Sequence, residues 1–268
     1  MRAFRSVLFS TFLLVPAGTA FAQGTMPSPI VTDRPGFLFS SLTVGRGVFQ
    51  TEWGIPAVTV NDFDGVDTRF TSLFGLIRYG VTQNFELRLD SPVYNQARVS
   101  VAGRSVSDHG YGDLEVGAKW HLFDNQGARP SFALIPSVIL PTGQDGFTAD
   151  DPVYQLNAMA EWTLANGWGI GALAGYLNGP SGDGQSRRYG QETFAVSLGR
   201  SLPSPKWSAY GEAVSVVTDL SGASDSSFLG GGIKYLVSND VQLDLSFDRG
   251  LTSDSPDWLF GFGIAARF

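Results

Sequence analysis

The chain has 268 residues, of which 33 are Gly, 20 are Phe and none is Cys, and its 18 basic and 25 acidic side chains give a formal net charge of -7. That acidic balance lacks the positive footprint of a nucleic-acid binder, so nucleic acid is not expected as a partner. Charged residues make up only 16 %, against roughly 25 % in soluble domains, so either something other than charge fills the polar surface or much of the surface is not in water.

In chain order, residues 1–22 read as a secretory signal peptide. Arg2 and Arg5 form a basic start, Val7 to Val15 an apolar core, and Ala20-Phe21-Ala22 a small-x-small cleavage signal. That core is too short for a spanning helix, which takes ~20 residues, and no later apolar stretch is long enough either. An exported chain without cysteine has to be held by a large core or a closed sheet. Residues 23–47 are rich in Pro, Ser and Gly but contain Phe37, Leu38 and Phe39. Two readings stand for this segment: a partial plug folded into or across the periplasmic mouth, or a disordered periplasmic leader.

From residue 48 onward the pattern has period two. Alternating segments fall at 48–60, 67–79, 84–95, 111–123, 130–141, 152–164, 168–178, 190–201, 207–217, 226–236, 241–250 and 257–268. In the last of these, Trp258, Phe260, Phe262, Ile264, Ala266 and Phe268 share one face, as alternate residues of a strand must. Short connections, such as Gly80 to Gln83 and Val237 to Asp240, interleave with mostly longer ones, such as Gln96 to Gly110 and Gly179 to Tyr189. The expected fold is therefore all-β: a twelve-stranded antiparallel transmembrane β-barrel over 48–268, with both termini periplasmic and outer-membrane lipid around it. A soluble exported β-sandwich is the competing reading, but it requires neither the loop alternation nor the aromatic band. Outward charges occur only near strand ends, at Asp67, Arg69, Glu192, Arg200 and Arg249, and Tyr79, Phe85, Trp120, Trp162, Trp168, Trp207, Tyr235 and Phe268 cluster beside the short turns. Pro56, Pro92 and Pro136 fall within strands, where bulges are expected.

The inward parity supplies the candidate lumen-lining residues: Glu52, Arg78, Glu86, Arg88, Asp90, Asp113, Glu115, Lys119, His121, Glu161, Glu212, Lys234, Asp244 and Arg267. Twelve strands should leave a narrow lumen, and opposite charges on neighbouring strands, such as Arg78 with Glu86 or Glu86 with Lys119, can form ladders across it. For most of these residues an interior salt bridge is the simpler role. Catalysis is not expected: the histidines are His109, in a loop, and His121, of inward parity with no serine beside it. No cofactor or metal is expected. Asp62, Asp64 and Asp67, and Asp145, Asp150 and Asp151, have oxygen ligands of the kind calcium uses, but such loop acids are more often simply solvated. Gly45-Arg46-Gly47 and Gly261-Phe262-Gly263 lack the strand-turn-helix setting of a phosphate loop.

Thr32-Asp33-Arg34-Pro35, Phe49-Gln50-Thr51-Glu52, Arg78-Tyr79-Gly80-Val81-Thr82 and Glu86-Leu87-Arg88-Leu89 occur in this order along the chain. They are followed by Gly112-Asp113-Leu114-Glu115-Val116-Gly117-Ala118-Lys119, Leu140-Pro141-Thr142-Gly143, Glu212 and Gln242-Leu243-Asp244. Together they resemble the outer-membrane transporters named for the meta-pathway of phenol degradation, over about residues 32–268. The resemblance implies a passive outer-membrane channel of a Gram-negative bacterium for small solutes, in some members aromatic compounds. Gly36-Phe37-Leu38 departs from the acidic and polar residues usual after this motif. The C-terminal strand is the expected handle for the outer-membrane assembly machinery. A sealed barrel using its loops for surface contacts is the alternative function.

Overall fold

The computed structural model describes residues 28–63, 65–149, 151–181, 187–220 and 225–268. The signal peptide expected over 1–22 lies outside the described residues, as do Asp64 and Asp150. The chain forms one antiparallel sheet of β1 (Phe49–Phe63), β2 (Val66–Gly80), β3 (Phe85–Val101), β4 (Arg104–Gly110), β5 (Leu114–Phe123), β6 (Ser131–Leu140), β7 (Val153–Thr163), β8 (Trp168–Pro180), β9 (Arg188–Ser201), β10 (Trp207–Asp219), β11 (Ser226–Leu236), β12 (Val241–Gly250) and β13 (Trp258–Arg267). Consecutive strands pair with one another except β4 and β5, and β1 pairs with both β2 and β13, which closes the ring. β4 and β5 pair successive stretches of the same edge of β3, so the barrel has twelve strand positions. Within the twelve-position ring, closure leaves no strand without two neighbours, which is what a sheet surrounded by lipid requires, and only the extension β4 keeps a free edge.

Alternation sorts the side chains. Leu87, Val116, Leu156, Phe194, Val196, Leu198 and Leu245 are exposed on the outer face in mid-strand, while inward-facing Glu52, Arg78, Glu86 and Lys119 are buried. This inverts the arrangement of a water-soluble protein, and lipid is the solvent that suits it. Aromatic rings mark both ends of the apolar band. At the short-turn end Trp207 meets Tyr235 at 4.6 Å and Phe49 meets Phe268 at 6.1 Å between ring centroids. At the other end Phe247 stacks on Trp258 at 4.9 Å.

Several details depart from the sequence reading. Residues 96–110, expected as a loop, form a hairpin in which the end of β3 pairs with β4 through Ala102-Gly103. Both turn residues have positive φ, 48° and 77°, as a two-residue primed turn requires. Bulges occur next to Pro56, between Gly54 and Ala57, and next to Pro92, where Leu73 and Phe74 face Tyr94 and Pro92. Pro136 carries no bulge. Its pairing with β7 is regular, because a proline whose missing N–H falls at a gap in the β5–β6 ladder costs no register, and the irregularity lies instead between His121 and Phe123.

Candidate functional site

Residues 28–47 run inside the ring, with Val44 and Val48 buried near the end of the segment. Asp33 and Arg34 are the only charges between Gln23 and Gly45, and both are engaged by the barrel wall. Asp33 is 4 % exposed. Its carboxylate accepts from Lys119 Nζ at 2.7 and 2.9 Å, is bonded to Arg88 Nη1, and has Arg78 Nη1 at 3.6 Å. Arg78 also donates to Glu86 at 2.8 Å and to Glu52 at 2.9 Å, and Lys119 stands 3.8 Å from Glu86. Three acids thus face three bases, with Asp90 at the edge, 4.0 Å from Arg88. Burial alone would push the Asp33 carboxyl up, but Arg78, Lys119 and Arg88 outweigh it and hold it far below the usual carboxylate range.

The same cluster grips the segment's backbone. Glu52 accepts the N–H groups of Asp33 and Arg34 at 3.0 and 2.9 Å, and Glu86 accepts that of Val44 at 2.8 Å. Arg78 donates to the carbonyls of Val31 and Leu42 at 3.1 Å each. A bend in the segment therefore occupies donors and acceptors that would otherwise be buried without partners. Arg34 lies against the wall, 3.1 Å from Asp244. It fits because Gly54 and Gly263, paired across β1 and β13, have no side chains: a Cβ at Gly263 would lie 2.3 Å from Arg34 Nε and one at Gly54 2.7 Å from Nη1. The Gly261-Phe262-Gly263 run is a slot for this guanidinium.

The opposite wall, from β6 to β11, carries an apolar ladder. Ala133, Met159, Leu173, Ala195, Val214 and Phe228 are partners in direct register from β6 to β11, forming one transverse inward ladder. Phe37, Leu38 and Phe39 pack against this cluster, and Phe37 stacks on Phe228 at 5.5 Å. Gly36, at φ 93°, turns the chain close to Glu212, whose Oε2 accepts the Phe37 N–H at 3.0 Å. Beyond this, Glu161 accepts from the Ser41 N–H at 2.6 Å and from its hydroxyl, and the Ser41 carbonyl lies 3.0 Å from His121 Nδ1.

Of the residues expected in the lumen, the structure brings Glu52, Arg78, Glu86, Arg88 and Lys119 into one cluster with Asp90 beside it, and places Glu161, His121, Glu212 and Asp244 separately along the segment. Arg267 sits at the short-turn end, bonded to Asp240 at 2.6 Å and to the Ser28 carbonyl at 2.8 Å. Lys234 lines the larger cavity and makes no ion pair within 4 Å among the described residues, and Glu115 lines the smaller one. Asp113 stands just before β5, at the mouth beyond the ring of strands that holds the cluster. Its two oxygens take the N–H groups of Thr142, Gly143 and Ala149 and the Thr148 hydroxyl, pinning a loop whose orphan donors need an acceptor. Sequence reasoning missed Asp33 and Arg34 as site residues, although their isolation in an uncharged stretch is a visible signal, and it missed the apolar ladder. Among the described residues no group of three or more His, Asp or Glu is placed to hold a metal ion.

Two cavities flank the segment. The larger, about 670 Å³, opens among the short turns and is lined by Leu38, Phe39, Met159, Tyr210, Lys234 and Gln242 among others. The smaller, about 170 Å³, lies against Arg34, Phe39, Phe74, Asp90 and Glu115. Phe39 borders both.

A closed twelve-stranded barrel with lipid-facing aromatic bands and a polar, occupied interior defines an outer-membrane β-barrel protein. An outer membrane channel from Pseudomonas putida F1 has the same fold, with a TM-score of 0.66 at 15 % identity over 88 % of this chain and 99 % of that one. The translocator domain of the autotransporter NalP from Neisseria meningitidis superposes with a TM-score of 0.58 at 14 % identity over 84 % of this chain and 89 % of that one. The beta domain of the Bordetella autotransporter BrkA gives 0.54 at 14 % identity over 84 % and 100 %. No curated protein sequence matches the chain. The family described as "Putative MetA-pathway of phenol degradation" matches residues 32–268, and the chain belongs to that family.

Proposed function

We propose that the protein is a passive outer-membrane channel for small solutes and that residues 28–47 are its internal gate. The observation that carries this reading is the seating of the segment: a charged bend clamps it to one wall, and a cavity of about 670 Å³ remains open beside the other. Passage then requires the segment to shift, or a solute to slip along the apolar ladder past Phe39. That ladder, with Phe37 stacked on Phe228, favours aromatic or otherwise apolar solutes, as does the family's description. The lumen-lining charges keep the gate in register rather than bind the solute. Both termini are assigned to the periplasm: Ile30 donates to Asn239 at 2.7 Å and Phe268 to Phe49 at 2.7 Å, both at the end with the short turns. A cleaved signal peptide over 1–22 and delivery through the C-terminal strand to the assembly machinery complete the reading.

Planar-bilayer recording and liposome uptake of aromatic, sugar and anionic solutes test it. Deleting residues 23–45 is expected to raise single-channel conductance and to erase any preference for aromatic solutes. Equal conductance with and without the segment would remove the gate. No conductance in either form would leave a sealed barrel whose loops make surface contacts.

A further inference from the structure

The outer wall carries an arginine pair that the channel reading does not use. Register places Arg98, Arg69, Val60, Trp258 and Arg249 in one transverse row across β3, β2, β1, β13 and β12. The row faces outward: Arg69 has the parity of exposed Tyr79, opposite to that of buried Leu76 and Arg78. Toward the short turns, the next outward row is apolar at Val58, Phe260 and Phe247 but polar at Thr71 and Gln96, and the apolar band on β2 and β3 begins one row later, at Leu73 and Tyr94. Arg69 lies ten residues from the exposed girdle residue Tyr79 on the same strand, which at about 3.3 Å per residue and a tilt of about 40° is about 25 Å, the height of the apolar band, so it reaches the opposite headgroup level.

Within this row Arg249 is already satisfied. It donates to the Asp257 carboxylate at 3.0 Å and lies over the Trp258 ring at 4.2 Å. Arg69 and Arg98 are not. They are directly opposite one another on adjacent strands, an arrangement that is destabilising for like charges. Arg98 donates to the Ser105 hydroxyl at 3.2 Å, and Arg69 makes no hydrogen bond or ion pair among the described residues. Asp67, two residues before Arg69 on the same face, lies farther from the membrane and forms no ion pair with it within 4 Å among the described residues.

We propose that Arg69 and Arg98 form a phosphate site for the phosphorylated glycolipid of the outer leaflet. Two planar guanidinium forks at headgroup depth suit a phosphate, which would accept from both and cancel their mutual repulsion. The inference rests on the membrane orientation proposed above and is independent of whether the barrel conducts.

Native mass spectrometry of the full chain in detergent tests it, with a diphosphorylated outer-leaflet glycolipid, the same glycolipid stripped of phosphate, and inorganic phosphate as probes. The intact chain should retain the phosphorylated lipid over the stripped one by about tenfold or more, the worth of one or two charge-assisted hydrogen bonds. Arg69→Gln with Arg98→Gln should abolish that preference, whereas Arg200→Gln, at the short-turn end, should keep it. Equal retention of both lipids by the intact chain, or an undiminished preference in the double variant, would overturn the site. Full displacement of the lipid by inorganic phosphate at equal concentration would make it a free-anion site and overturn the headgroup assignment. Because the comparison of lipids on the unaltered chain needs no variant, poor folding of the double variant leaves the outcome decidable. Loss of conduction with lipid preference intact would refute the channel and not this site.

Discussion

The two walls of the lumen hold the same segment by different physics. On the wall of β1, β2, β3 and β5, charged side chains meet Asp33 and the backbone of residues 31–44 in fixed directions, and every partner has an alternative cost if it is lost. On the wall of β6 to β11, Glu212 and Glu161 take one backbone N–H each, from Phe37 and Ser41, and between them Phe37, Leu38 and Phe39 lie on a ladder of aliphatic side chains and Phe228, where contact is non-directional. The charged wall therefore fixes where the segment sits, and the apolar ladder offers the surface along which something else can pass.

Substitutions that break this contrast should differ in size. Arg78→Ala leaves Glu86, Glu52 and Asp33 short of a cation in a buried cluster, and removing one partner of such a set typically costs about 3–5 kcal/mol. Urea unfolding from lipid vesicles should register that loss, and conductance should rise as the segment is freed. Gly263→Ala drives a methyl group into Arg34 and should cost about 1–3 kcal/mol, as overpacking does, with partial release of the segment and a smaller rise in conductance. Phe37→Leu keeps the apolar contact but loses the stack on Phe228, about 0.5–1.5 kcal/mol. Its effect should appear in the ratio of aromatic to sugar uptake more than in stability. If Phe37→Leu proved as disruptive as Arg78→Ala, the two walls would not be doing different jobs.

The smallest effect concerns pH. Asp33 has a folded pKa below its unfolded one, so its contribution is fully present above the unfolded value and is lost as pH falls toward the folded value. The stability difference between the natural chain and Asp33→Asn should therefore still be present at about pH 5 and shrink only below about 4, near the ordinary Asp pKa. A difference that fell away between pH 8 and 6 would place Asp33 outside the cluster.

Strand parity was legible in the sequence because lipid and a polar interior impose opposite demands on successive residues. Val241, Leu243, Leu245 and Phe247 against Gln242, Asp244, Ser246 and Asp248 is a pattern only a two-sided strand explains. The hairpin of β3 and β4 was not legible, since beyond the apolar band Gln96, Arg98 and Ser100 no longer need to be greasy, and Ala102-Gly103 is a weaker turn signal than Asn-Gly. The apolar ladder was hidden for another reason. Met159, Leu173, Ala195, Val214 and Phe228 are scattered among polar residues and glycines on their inward faces, and only interstrand register lines them up. Asp33 and Arg34 lie in a segment without periodicity, so no pattern argument placed them in the barrel.

The seating of residues 28–47 in the lumen can be measured directly, because the chain has no natural cysteine. Ser41 is fully buried between Ser131 and Glu161, so Ser41→Cys in the full chain reports on seating through its rate of labelling by a membrane-impermeant maleimide. Strong protection is expected in the folded barrel, and rapid labelling when Arg78→Ala is added. Labelling of the single variant at the rate of the urea-unfolded chain would contradict the seating.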